Sequence, residues 1–171
     1  MPTTTSTSTS NDRPLSARDP RLAPWRAFVR AQAQVSRRLD EDLRVEHGMS
    51  LQEYVALLFL AEAPERRLRM GRLADSLSLS KSGATRLIDR LVGDGLVCRE
   101  SCSSDARGAE AKLTERGLDR LRTAAPTHLR GIKDYFLSAL EMDDLSTIER
   151  TMTGVAACAA AHAERARTEK A

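Results

Sequence analysis

The segment Ser80-Lys81-Ser82-Gly83-Ala84-Thr85-Arg86-Leu87-Ile88-Asp89-Arg90-Leu91 carries the side chains with the clearest chemistry. Wound as a helix at ~100° per residue, it gathers Ala84, Leu87, Ile88 and Leu91 on one side. Ser82, Thr85, Arg86 and Asp89 fall on the other, with no bulky apolar group among them. Hydroxyls bond phosphates or base edges, and a guanidinium matches guanine through its two-pronged donor geometry. Gly83 costs such a helix ~1 kcal/mol of propensity, and it also allows close approach to a backbone or groove. Arg90 adds a second guanidinium. Arg86 and Arg90 on a plain solvated surface, and Gly83 in tight helix packing, are the bland readings of the same residues.

The neighbouring segments are of the kind that would hold this helix in place. Met70, Leu73, Ala74 and Leu77 repeat at i, i+3, i+4, i+7 and predict a short helix before it, joined by Ser78-Leu79-Ser80. Ser80 can cap the second helix and Gly95 can end it. The period then changes. Leu96 to Ser101 and Ala109 to Leu113 read as two short strands around a polar loop, Cys102 to Gly108, that contains Asp105 and Arg107. Two short helices and a hairpin describe a winged helix-turn-helix. In that motif the second helix enters the major groove of DNA, and an Arg at the hairpin tip can reach the minor groove beside it.

Charge supports the same region. The net charge is +3, from 27 basic and 24 acidic residues. Residues 66–122 hold 13 basic and 8 acidic groups, whereas the flanks on either side are each slightly acidic. A polyanionic partner is expected there.

Around this lobe the pattern is helical. Trp25, Phe28 and Val29, extended by Val35, Leu39 and Leu43, predict a helix of ~23 residues, ~35 Å long, whose apolar face needs a partner. Ser50 and Glu53 form a capping box, with Met49 and Tyr54 at the two staple positions, and open the next helix, which should stop before Pro64. After the hairpin, Thr114 caps a helix that Pro126 should kink or divide. A last helix from about Asp143 to Arg165 shows the stripe Leu145, Ile148, Met152, Val155 and Ala159. Residues 1–20, with an unbroken Thr/Ser run from Thr3 to Ser10, read as a disordered tail. The expected fold class is mostly α with a small β-hairpin wing.

Composition excludes other classes. No stretch approaches the ~20 apolar residues of a membrane span, and no secretory signal is visible. Three cysteines, Cys98, Cys102 and Cys158, do not suggest a disulfide framework, and the reading is a cytoplasmic protein with no membrane partner. Cys98 and Cys102 lack further metal ligands, and His47, His128 and His162 are scattered, so no metal or other cofactor is expected. There is no phosphate-binding Gly loop and no nucleophile elbow, which argues against an enzyme.

The run Leu73-Ala74-Asp75-Ser76-Leu77, the segment SKSGATRLIDRLVGDGLVCRE and the segment SSDARGAEAKLTERG together resemble the MarR family of bacterial regulators. That family's wing signature is Asp-x-Arg, a strand, then Leu-Thr-x-x-Gly. Here Asp105, Arg107, Leu113, Thr114 and Gly117 stand in that register. The resemblance covers roughly residues 22–163. It implies a MarR-type domain at 21–165, with a winged helix-turn-helix at about 51–118, dimerisation helices at about 22–47 and 119–165, and a C-terminal tail at 166–171. It also implies a homodimer on a pseudopalindromic double-stranded DNA operator. By position, Ser80, Ser82, Thr85 and Arg86 would contact phosphates and bases, Lys81 a phosphate, and Arg107 the minor groove, with Asp105 orienting Arg107 or pairing with a recognition-helix Arg. Arg90 belongs to the same outward basic set.

The resemblance further implies repression relieved by a small aromatic or phenolic effector bound between the dimer helices and the DNA-binding lobe. Trp25, Arg26, Phe28, His47 and Tyr54 are the candidates, an aromatic cleft with a cation suiting an aromatic carboxylate. Packing of Trp25, Phe28 and Tyr54 in a dimer core is the competing account. Two other readings stand beside this one: a redox-responsive regulator using the wing thiols, and a helical interaction protein of the same fold that no longer binds DNA.

Overall fold

The computed structural model describes residues 14–101 and 109–168. Asp105, Arg107 and Cys102, with the Thr/Ser run of the tail, lie outside the described residues. Residues 14–20, also expected in the tail, are described. There Asp19 is buried and caps the turn Pro20–Leu22, accepting from the Arg21 backbone N–H at 2.9 Å.

Helix α1 (Ala23–His47) ends at Gly48, whose φ of 59° lets its N–H turn back to the Arg44 carbonyl at 2.9 Å. Helix α2 (Leu51–Glu62) begins with both arms of the capping box: Ser50 Oγ accepts from the Glu53 N–H at 3.2 Å, and Glu53 Oε2 from the Ser50 N–H at 2.8 Å. Asp40 of α1 accepts the Leu51 N–H at 2.8 Å, fastening the two helices at their corner. Strand β1 (Arg67–Arg69) then leads into α3 (Met70–Ser76), α4 (Lys81–Gly93), β2 (Val97–Ser101), β3 (Ala109–Leu113), α5 (Glu115–Tyr135) and α6 (Met142–Thr168).

Two expectations change. The hairpin is part of a three-stranded antiparallel sheet in the order β1-β3-β2, with Leu68 opposite Ala111 and Arg99 opposite the same residue from the other side. Strand β1 is three residues long, too short to display an alternating pattern. Pro126 does not divide α5, which runs unbroken through it. Its ring removes one hydrogen bond, to the Arg122 carbonyl, and both residues are on the exposed side of the helix, where such a loss costs least.

The core lies under α2, α3, α4 and the sheet. Leu43, Leu57, Leu60, Leu73, Leu87, Ile88, Leu91 and Val97 are its largest fully buried side chains. Only the C-terminal half of α1 reaches it, through Leu39 and Leu43. The N-terminal half leaves Trp25 61% exposed, and every described side chain of α6 beyond Ile148 is exposed.

Helix α5 lies along α1 through polar bonds. Thr127 Oγ1 donates to Glu46 at 2.7 Å, so it accepts from His47 Nε2 at 2.8 Å, and Tyr135 donates to Asp42 at 2.8 Å. His128, one residue on, stacks against the buried Tyr54 ring at 4.4 Å between centroids. Its Nδ1 is buried with no hydrogen-bond partner among the described residues. Burial holds its pKa below the ordinary 6.5. A histidine kept neutral by folding stabilises the native state fully above the unfolded value. That stability drains away as pH falls through 6.5 towards the depressed folded value. Urea midpoints of the wild type should therefore fall from pH 7 to pH 5 more steeply than those of His128→Phe. Equal slopes would show that His128 does not contribute to the acid sensitivity.

Candidate nucleic-acid interface

Ser80 caps α4, its Oγ accepting from the Gly83 N–H at 3.1 Å, which fixes the start of the helix. Ala84, Leu87, Ile88 and Leu91 are buried, so the opposite face must point outward. Lys81, Ser82, Thr85, Arg86, Asp89 and Arg90 are all exposed there. The helix-wheel arrangement is thus the observed one.

The hydroxyls are partly engaged. Ser80 and Ser82 oxygens lie 3.2 Å apart, and Thr85 Oγ1 donates back to the Lys81 carbonyl at 2.9 Å. Thr85 is exposed with its hydroxyl hydrogen already committed, so the oxygen is left as an acceptor. The cations divide into two kinds. Arg90 lies 3.6 Å from Glu53 of α2, and Arg99 of β2 lies 2.7 Å from Asp89. Lys81 and Arg86 have no hydrogen-bond or ion-pair partner among the described residues for their side chains. Among the described residues Arg86 is therefore a guanidinium with its donors available, at the middle of the outward face.

Beside it is a depression of about 510 Å³ bordered by Gln52, Leu79, Gly83, Arg86, Leu87, Asp89 and Arg90. Gln52, on the first turn of α2, is exposed next to the recognition face. Its only sequence signal was its place inside the capping box. Arg99 had none, since strand register alone brings it to Asp89.

The sheet and α5 are tied together by the Leu113-Thr114-x-x-Gly117 segment. Thr114 Oγ1 accepts from the Gly117 N–H at 3.0 Å and approaches the Gly95 carbonyl at 2.8 Å and that of Leu96 at 3.1 Å. This motif is structural: it seats α5 on the start of β2.

A MarR family model matches residues 47–108. The chain is 32% identical over 124 residues to the helix-turn-helix transcriptional regulator YkoM of Bacillus subtilis, covering 71% of this chain and 78% of that one. Among solved structures, AbsC, a MarR family transcriptional regulator of Streptomyces coelicolor, superposes with a TM-score of 0.77 at 32% identity, covering 87% of this chain and 99% of its own. The chain belongs to the MarR family. A second MarR family regulator of Streptomyces coelicolor, Sco3205, solved in complex with DNA, gives a TM-score of 0.78 at 34% identity over 85% of this chain and 91% of its own. This MarR-family chain is accordingly a transcriptional regulator and not an enzyme. Among its described residues no helix is long and apolar enough to cross a membrane.

The effector candidates do not form one site in this MarR-family chain. Trp25 and Phe28 stack at 6.0 Å near the start of α1, and Arg26 donates to the Ala17 carbonyl at 2.6 Å. His47 and Tyr54 lie at the other end, with Phe28 and His47 about 29 Å apart along α1 at roughly 1.5 Å per residue. Tyr54 is a core residue, and burial raises its pKa above 10.0. Phe28 lines an apolar groove of about 660 Å³ with Val35, Tyr135, Phe136, Ile148 and Met152. Cys98 is half-buried on β2, its thiol facing the Lys112 carbonyl at 3.7 Å.

Proposed function

We propose that this chain is a homodimeric, sequence-specific DNA-binding repressor that occludes a promoter by binding a pseudopalindromic operator. The observation that carries the reading is Arg86, without a partner among the described residues, on the outward face of a capped helix whose other guanidinium, Arg90, is already paired with Glu53. Ser80, Lys81, Ser82 and Thr85 lie beside it at the start of the same helix and supply phosphate and base contacts. Arg90 flanks it, and Asp105 and Arg107 belong to the proposed contact set by their place in the family's wing signature. The complex of Sco3205 with DNA supports DNA as the partner. The transcriptional repressor YetL of Bacillus subtilis, 33% identical over 85 residues, supports repression, although this chain spans about half of that protein. Two-fold pairing would present two α4 helices to half-sites about one helical turn apart. The free Lys81 and Arg86 favour DNA binding over a purely protein-binding role.

Release by a small aromatic or phenolic effector belongs to the same proposal.

Fluorescence anisotropy on the duplex just upstream of the chain's own gene, at two salt concentrations with random DNA as competitor, tests the reading. Tight, competitor-resistant binding is expected, weakened by aromatic carboxylates or phenols. Arg86→Ala should cost about 1–3 kcal/mol on the operator and much less on random DNA. Equal weakening on both would reduce Arg86 to a phosphate contact. Binding that vanishes with salt and ignores sequence, there and on DNA selected from a random pool, would overturn the proposal.

A further inference from the structure

We infer that Arg99 is a positioning residue that keeps Arg86 free to read a base by holding the carboxylate of Asp89. The inference rests on the DNA-binding reading above and names how its central residue is kept available. Arg86 and Asp89 stand at i and i+3 on the exposed face of α4, the spacing at which helix neighbours meet. A guanidinium and a carboxylate so placed readily form a two-pronged pair. Arg86 in that pair would lose the fork it needs for guanine O6 and N7. In the structure the pair does not form. Asp89 Oδ1 is instead 2.7 Å from Arg99 on β2, and Arg86 has no partner among the described residues. The remaining nearby cation, Arg90, is taken by Glu53 at 3.6 Å, so Arg99 is the group that satisfies Asp89.

The bridge is poorly suited to be a stability device. Its side chains are 38% and 58% exposed, and exposed pairs contribute little to folding. It does have a consequence for recognition. It neutralises the carboxylate of Asp89 on a face that must approach phosphates, and it does so with a cation from β2 and not with Arg86.

The test uses the duplex that the wild-type protein enriches from a random-sequence pool, and a scrambled duplex of the same composition. The proteins are wild type, Arg99→Ala, Asp89→Asn, the double variant and Arg86→Ala, with Arg99→Gln in reserve should Arg99→Ala fold poorly. Arg99→Ala should lower the ratio of selected to scrambled affinity about tenfold, within the range set by one bidentate Arg–guanine contact. Asp89→Asn should leave the ratio within about twofold, and adding it to Arg99→Ala should restore the ratio to about the same margin, since the two residues act as one unit.

If Arg99→Ala weakens both duplexes, flattens the salt dependence and is not rescued by Asp89→Asn, Arg99 touches phosphate and the inference fails. It also fails if Arg99→Ala changes nothing, or if Asp89→Asn alone lowers the ratio, which would make Asp89 a base contact. In each of these cases Arg86→Ala still lowers the ratio and DNA binding stands. If wild type enriches no sequence and Arg86→Ala has no effect, the DNA-binding reading itself fails and takes the inference with it.

Discussion

Gly117→Ala should lower the melting temperature by about 10 °C, the largest stability loss expected from adding a single methyl group to this chain. A Cβ at position 117 would stand 2.1 Å from the Leu96 carbonyl oxygen and 2.7 Å from Leu113 Cδ1. The first obstacle is backbone, and that carbonyl is not free to move. It accepts the Thr114 N–H at 3.1 Å, and the Thr114 hydroxyl lies at 3.1 Å. Making room would pull α5 away from β2 and loosen the cap of α5 together with the seat of the wing. Overpacking of this kind costs about 1–3 kcal/mol, and a backbone clash belongs at the upper end. Gly93→Ala is the control, because a Cβ there meets nothing within 4 Å. Thermal denaturation followed by circular dichroism should separate the two variants clearly. A Gly117→Ala protein that melts with the wild type would show that α5 shifts along β2 at little cost.

The same junction shows what a sequence of this kind makes legible and what it does not. Leu113, Thr114 and Gly117 were recognisable as part of a family pattern, yet the pattern alone does not say why glycine stands there. The reason is a contact with Leu96, 21 positions earlier in the chain, which only the folded register supplies. The inner face of α4 was readable because a 3.6-residue period states directly which side is buried, and Ala84, Leu87, Ile88 and Leu91 obey it. The capping box at Ser50 and Glu53 was readable because its partners are three residues apart.

Strand β1 was not readable, since Arg67–Arg69 owes its conformation to pairing with β3 and not to its own pattern. The Arg99–Asp89 bridge and the neutral His128 depend in the same way on non-local neighbours. Residue type carries no information about distance: Trp25 and Tyr54 share aromatic character, but Trp25 is on the first turn of α1 and Tyr54 is on α2, past the other end of that helix. The wing-tip pair Asp105 and Arg107 falls outside the described residues.

Phe28→Asp combined with Met152→Asp should convert the protein into a monomer and lower its affinity for a full operator by a factor of about 10² to 10⁴. Trp25 is 61% exposed, Phe28 and Val29 42%, Phe136 40% and Val155 54%. Stable monomers rarely leave so much apolar surface contiguous. Phe28, Val35, Phe136, Ile148 and Met152 share one groove, and α6 continues past it with every described side chain exposed. A second copy related by two-fold symmetry would cover this surface and is the occupant that also places two recognition helices on one face of DNA. Two buried carboxylates without partners would oppose that association strongly.

The lobe core of Leu43, Leu57, Leu87, Ile88 and Leu91 lies elsewhere, so the variant should keep its helical circular dichroism. Sedimentation would report the change of mass. Anisotropy on whole-operator and half-site duplexes would then divide the loss. The variant should bind a half-site as the wild-type lobe does and lose only the gain from linking two lobes. An intact dimer with unchanged operator affinity would remove the groove from the interface. A monomer whose half-site affinity also collapsed would show that the helices outside the lobe hold α4 in its reading position, so that dimerisation and recognition could not be treated as separable steps.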